Sequence, residues 1–218
     1  SEQGPVTSAK TGDEVVPTWP EDAALLLVAA SSDEVTLAWP PAQDDVAVTG
    51  YRVYQDEVQV ALVEDGSTAL TVSGLSPWSE YSFRVEAHDA AENLSITGPV
   101  LSMKTPDEVS PGWDEGAAII ATDLSSGGVT LEWAAATDDV AVTAYQISQN
   151  GALVATLDGA VTTHSVTGLS PWTDYVFRIQ AQDEAGNLSQ PGLELSVQTL
   201  DEQVPTWPEE AKVTGWDV

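Results

Sequence analysis

Apolar and polar residues alternate in short runs along the first half of the chain, and turn-forming residues separate the runs every 8–12 residues or so. In residues 34–39 (EVTLAW), Val35, Leu37 and Trp39 fall on one face. In 48–55 (VTGYRVYQ), Tyr51 and Val53 share a side, and in 80–88 (EYSFRVEAH), Tyr81, Phe83, Val85 and Ala87 do the same. A period of two residues predicts strands buried on one face. Residues 23–29, 58–63, 69–73 and 100–104 bring the set to seven strands. A tight turn at Gln55-Asp56-Glu57 joins the third to the fourth, and the matching place in the second half carries Asn150-Gly151, a strong hairpin signal. No segment has a helical period. The pattern predicts an all-β antiparallel sandwich.

The pattern then repeats. Ser1, Ser95 and Ser189 stand 94 residues apart, and from each the chain runs in parallel without a gap. Asp13, Asp107 and Asp201 match, as do Pro17, Pro111 and Pro205, and Trp19, Trp113 and Trp207. About half of the paired positions in the first two copies are identical, and such a period marks an array of similar units. It has the size of one small domain. Residues 12–105 and 106–199 are read as complete domains. Residues 1–11 are read as the last strand of a preceding repeat, because GPVTSAK at 4–10 matches 98–104, and 200–218 as the linker and first strand of a following one. The end segments predict either a longer array or strands that pair with other chains.

The order of EVTLAW, VTGYRVYQ, the turn Gly74-Leu75-Ser76-Pro77 leading to Tyr81, and YSFRVEAHDAAENLS resembles the fibronectin type III domain. Leu169, Pro171 and Tyr175 repeat the turn. The resemblance implies two tandem seven-stranded antiparallel Ig-like sandwiches. It implies that the hydroxyls of Tyr81 and Tyr175 tie back to the preceding loop, and that Trp39 and Trp133 sit in the two cores. The loops DDVAVTGY and DxAxNLS look most like the bacterial branch, common in secreted polysaccharide-degrading enzymes and surface adhesins. Fold alone does not set function.

Thirty-five acidic residues face six basic ones, for a net charge of −29. Such a surface repels nucleic-acid phosphates and anionic lipid. The chain has no cysteine, which removes disulfides and thiolate metal sites. No apolar run approaches a membrane span, and residues 1–13 lack the apolar region of a signal peptide. The acids are expected to bind divalent cations, to suit high salt, or to hold neighbours apart by repulsion.

In the resembled fold, one end of each domain gathers the inter-domain linker and two loops. That end collects Asp13, Glu14, Asp44, Asp45, Asp89 and Asn93 in the first copy. It collects Asp107, Glu108, Asp138, Asp139, Asp183 and Asn187 in the second. Calcium takes six to eight oxygens, so calcium at the domain junctions is one expectation. The other is that Asp44, Asp89 and Asn93 simply satisfy loop backbone N–H groups. Glu92 and Glu57 stand where the second copy has Gly186 and Gly151, glycines suited to positive φ, so the first copy is expected to hold strained loops or to gain a ligand in Glu92.

The linker 106–111 carries two prolines and no flexible run, which lowers its freedom. Trp78 and Trp172 occupy Ser-Pro-Trp turns. Trp78 is expected near Pro111 or Trp113, and Trp172 near Pro205 or Trp207; local packing and a carbohydrate platform are the alternatives.

The two histidines, His88 and His164, do not correspond between copies and are expected to face solvent. No serine has a repeated histidine partner, and the acid pairs are expected on a convex tip without a pocket, so the chain is not expected to be an enzyme. Asn93-Leu94-Ser95 and Asn187-Leu188-Ser189 fit the glycosylation pattern. The expected function is a rigid spacer, stalk or filament body of an extracellular surface protein, touching neighbouring repeats, identical subunits, or a glycan or cell-surface partner. The alternative is an accessory spacer or weak glycan-binding module of a secreted polysaccharide hydrolase.

Overall fold

Seven strands form from the first repeat: β1 (Leu26–Ala30), β2 (Glu34–Ala38), β3 (Val48–Gln55), β4 (Val58–Val63), β5 (Ala69–Ser73), β6 (Glu80–Asp89) and β7 (Val100–Lys104). They come from a computed structural model that describes residues 12–202. Two antiparallel sheets, ordered β1-β2-β5 and β4-β3-β6-β7, make up the unit. Val35, Leu37, Val53, Phe83, Val85 and Ala87 are fully buried, with Trp39 and Tyr51 nearly so. Each such aliphatic or aromatic side chain contributes about 1.5–3 kcal/mol by leaving water. The first strand begins later than the expected 23–29, and all five of its residues are exposed. Leu25, just ahead of it, fills the core instead, and a bulge between Leu27 and Ala29 breaks the alternation.

The second repeat forms β8 (Ile119–Thr122), β9 (Gly128–Trp133), β10 (Val142–Gln149), β11 (Ala152–Asp158), β12 (Thr163–Thr167), β13 (Asp174–Asp183) and β14 (Leu193–Gln198). Its sheets run β12-β9-β8 and β11-β10-β13-β14. Leu131, Tyr145, Ile147, Phe177, Ile179 and Ala181 are fully buried. The two units part between Glu108 and Val109. No helix occurs among the described residues.

The aromatic cores match. Tyr51 lies 5.8 Å from Trp19 and 5.6 Å from Trp39, ring centre to ring centre. Tyr145 lies 5.8 Å from Trp113 and 5.5 Å from Trp133. The Ser76 N–H donates to the Tyr81 hydroxyl at 2.8 Å, and the Ser170 N–H to the Tyr175 hydroxyl at 2.9 Å. These are the tyrosine tie-backs that the resemblance implies.

Candidate functional site

The loop after β2 brings Asp44 and Asp45 to Asp13. Each of the three offers a carboxylate oxygen within 4.8 Å of the others. The Val46 and Ala47 N–H groups both donate to Asp44 Oδ1. Asp44 Oδ2 is buried and accepts no hydrogen bond. Asp13, Glu14 and Asp45 line a cleft of about 690 Å³. Asp89 and Asn93 stand outside this group. The N–H groups of Ala91 and Asn93 donate to Asp89 Oδ1, and the Asn93 amide donates to Oδ2 at 2.7 Å. The same amide reaches the carbonyls of Asp13 and Val15, both at 3.1 Å. Asp89 and Asn93 thus build the loop and tie it to the segment ahead of β1. Burial pushes the Asp89 carboxyl up, but the Asn93 and Ala91 donors and the charge of His88 together hold it below its ordinary value.

In the second unit, Asp138 and Asp183 bring carboxylate oxygens within 4.8 Å of each other. Asp138 Oδ1 accepts from the N–H groups of Val140 and Ala141, as Asp44 does from its own loop. Asp139 is exposed. Asn187 donates to Asp183 Oδ2 at 2.8 Å and to the Val109 carbonyl at 3.2 Å. Asp107 is buried and Glu108 exposed, both in the connecting segment. The sequence could not say which carboxylates stay free once the turns take their hydrogen bonds.

Glu92 does not join the acid group. Its carboxylate meets Arg52 Nη2 at 2.8 Å. Glu57 and Glu86 both meet Arg84, and the Arg84 guanidinium lies 4.2 Å from the Tyr54 ring centre. Four of the six participants sit across β3 and β6, so these pairs follow from strand register, which the sequence alone does not fix. Glu57 and Glu92 hold φ of 64° and 67° where Gly151 and Gly186 hold 83° and 95°. The strain expected of the first copy is present, about 1–2 kcal/mol for each non-glycine residue in this region.

The two turn tryptophans differ. Both adopt left-handed backbone, with φ of 50° at Trp78 and 48° at Trp172. Lys104 Nζ sits 3.6 Å from the Trp78 ring centre. Trp172 is 67 % exposed. Pro111 is buried beside Trp113, whose ring packs on Tyr145. Pro205 and Trp207 lie outside the described residues, as do 4–10.

His88 corrects an expectation. It is 3 % exposed, not solvent-facing. Its Nδ1 lies 3.2 Å from Thr49 Oγ1, and its Nε2 fills the space beside Gly50. His88 alternates with inward Ala87 and pairs with Gly50, whose missing side chain leaves room for the imidazole to be covered on that face. His164 is half-buried on β12. The glycosylation pattern is structurally occupied: the amides of Asn93 and Asn187 are committed as above, and Ser95 and Ser189 are buried, their hydroxyls accepting from the Ala87 and Ala181 N–H groups.

The profile of the family described as "Fibronectin type III domain" matches residues 20–100 and 117–198. The chain is 39 % identical over 195 residues to Chitinase A1 of Niallia circulans, covering 87 % of this chain and 27 % of that protein. It is 31 % identical over 202 residues to Exoglucanase B of Cellulomonas fimi, covering 89 % and 18 %. Chitinase D of Niallia circulans is 46 % identical over 96 residues, covering 44 % and 17 %. The chain thus spans about a quarter or less of these relatives. With two profile matches laid on two sandwiches that share a tyrosine tie-back and a buried tryptophan, the chain belongs to the fibronectin type III family, in two tandem copies.

Proposed function

We propose that the two domains are a non-catalytic accessory spacer of a polysaccharide-degrading enzyme that works outside the cell. The observation that carries this is the 39 % identity to Chitinase A1 across both repeats, joined to similarity with a second polysaccharide-degrading enzyme. The relatives give this reading more support than the stalk or filament body. Asp44 and Asp89 each accept N–H groups of their own loops, and His88 is buried, so the domains are read as holding chemistry done elsewhere. A net charge of −29 keeps such a spacer apart from its neighbours.

The test compares the product of the gene carrying this chain with a version lacking residues 12–199. Hydrolysis of insoluble chitin or cellulose falls several-fold, and hydrolysis of soluble oligosaccharide stays the same. A gene made only of further repeats, or equal loss on soluble and insoluble substrate, sinks the reading.

Calcium is a second proposal, confined to Asp13, Asp44 and Asp45. What favours it is the buried Asp44 Oδ2 with no hydrogen-bond donor, on a carboxylate that comes within 4.8 Å of those of Asp13 and Asp45. Calorimetry with calcium on the chain and on Asp44→Asn tests it. Heat that saturates below about 1 mM and vanishes in the variant supports the site, a range typical of extracellular calcium modules. Absence of heat removes it.

A further inference from the structure

Trp172 is an indole that the fold does not use. It is 67 % exposed, and it contributes nothing to the buried core around Tyr145 and Phe177. Its φ of 48° places a bulky residue where glycine or asparagine is at ease. Backbone held in such a region at a surface turn points to a function that rewards it. The first repeat gives the contrast. There Lys104 sits over the Trp78 ring at 3.6 Å, a contact that occupies an aromatic face. The matching residue of the second repeat is Gln198, and no cation lies over Trp172 among the described residues.

Polar groups stand at the same end of the unit. The backbone N–H of Trp172 donates to the Leu200 carbonyl, and the backbone N–H of Leu200 to the Ser125 carbonyl. Beside them the Ser126 hydroxyl donates to Glu202 at 2.8 Å. An open indole on a turn hydrogen-bonded through Leu200 to the segment that carries Ser126 suits a sugar ring: the axial C–H face stacks on the aromatic ring, and the hydroxyls find hydrogen-bond partners. The net charge selects against anionic glycans.

We propose that the Trp172 turn is a weak stacking platform for a neutral β-1,4-linked pyranose chain. The proposal rests on the accessory reading above and names the class of polymer that this turn touches. One open ring gives an affinity in the millimolar range, enough to help only when the polymer is insoluble and concentrated.

The test is a titration of the 218-residue chain with chitohexaose, and separately with cellohexaose, followed by the indole N–H signals in NMR. The Trp172 signal shifts and saturates, with a dissociation constant of about 1 mM. Trp172→Gly, which relieves the left-handed backbone of the turn, weakens binding at least about tenfold and keeps or raises the thermal midpoint. Gln198→Lys, which copies the first repeat, weakens it several-fold. Trp78→Gly leaves it within about twofold. Three outcomes overturn the proposal: no saturation with either sugar, equal binding by Trp172→Gly, or a Trp172 indole already shielded from solvent exchange without sugar, which would mean that following chain covers it. None of these touches the accessory reading, which the deletion on insoluble substrate decides separately.

Discussion

The two repeats solve the same fold with different side chains, and the differences collect at turns and on one sheet. The cores are interchangeable: Val35, Leu37 and Phe83 match Val129, Leu131 and Phe177, all almost fully buried. The turns are not. The first unit holds Glu57 and Glu92 at positive φ and gives each an arginine. The second uses Gly151 and Gly186 at the same places and pairs Gln146 with Gln182 where the first has Arg52 and His88. Surface ion pairs of this kind contribute about 0–1 kcal/mol. That is no more than the backbone strain they accompany. The first unit thus carries charge on its β3–β6 face at little net gain, while the second has glycine at those two turns and glutamines in place of Arg52 and His88.

The largest effect should come from the shared core. Phe83→Ala and Phe177→Ala each remove a fully buried ring, and each should cost about 3–5 kcal/mol. Chemical unfolding followed by intrinsic fluorescence should show one transition moved and the other kept. If either variant moves both equally, the repeats do not unfold as separate units and the comparison fails. Next comes Gly50. A Cβ there would lie 2.5 Å from His88 Nε2 and 2.6 Å from the Val63 carbonyl oxygen. Gly50→Ala should therefore cost about 1–3 kcal/mol as overpacking. The second repeat already carries Ala144 at this place, opposite Gln182. Adding His88→Gln to Gly50→Ala should recover part of the loss, and no recovery would mean that the Val63 carbonyl alone sets the limit.

A smaller effect separates the turns. Gly151→Glu puts a side chain at φ 83° and should destabilise the second unit by about 1 kcal/mol. Glu57→Gly should stabilise the first by a similar or smaller amount, because losing the Arg84 contact offsets part of the relief. Equal and opposite shifts would show that the ion pair contributes nothing. A loss of stability in Glu57→Gly would show that the ion pair outweighs the strain.

How much of this was legible beforehand follows from range. Alternation within a strand is local, so the inward set on β2, β3 and β6 could be read directly. The tyrosine tie-backs came through the family resemblance, carried by the turns that lead to Tyr81 and Tyr175, and both are present. Glycines facing glutamates across the repeat told of positive φ before any dihedral was known. What stayed hidden depends on register or on hydrogen-bond accounting. His88 is buried against expectation because it pairs with Gly50, which leaves room for its ring. Lys104 meets Trp78 only because β6 and β7 pair Glu80 with Lys104. Of the acids expected at one end of the first unit, Asp13, Asp44 and Asp45 come together, but Asp89 is consumed by three donors from its own loop while Asp44 keeps an oxygen free. No spacing rule separates two aspartates in such similar loops.

The smallest effect concerns acid, and its sign can be worked out. The Asp89 carboxyl is held below its ordinary value in the folded first unit: burial opposes this, and the Asn93 and Ala91 donors and the His88 charge outweigh it. A depressed folded pKa adds stability that is present above the unfolded value of about 3.9 and is lost as pH falls through the folded one. Asp89→Asn has no such titration. The variant should be less stable than the parent at neutral pH, and the gap should close below about pH 4. Neutralising the other acids changes both proteins alike, because 34 of the 35 acidic residues are shared, so the difference between them isolates this carboxyl. The second unit's transition, which Asp89 does not touch, serves as the internal reference in each melt. A gap that stays constant from pH 7 to pH 2 would mean that Asp89 holds its loop by shape alone, with its charge contributing nothing.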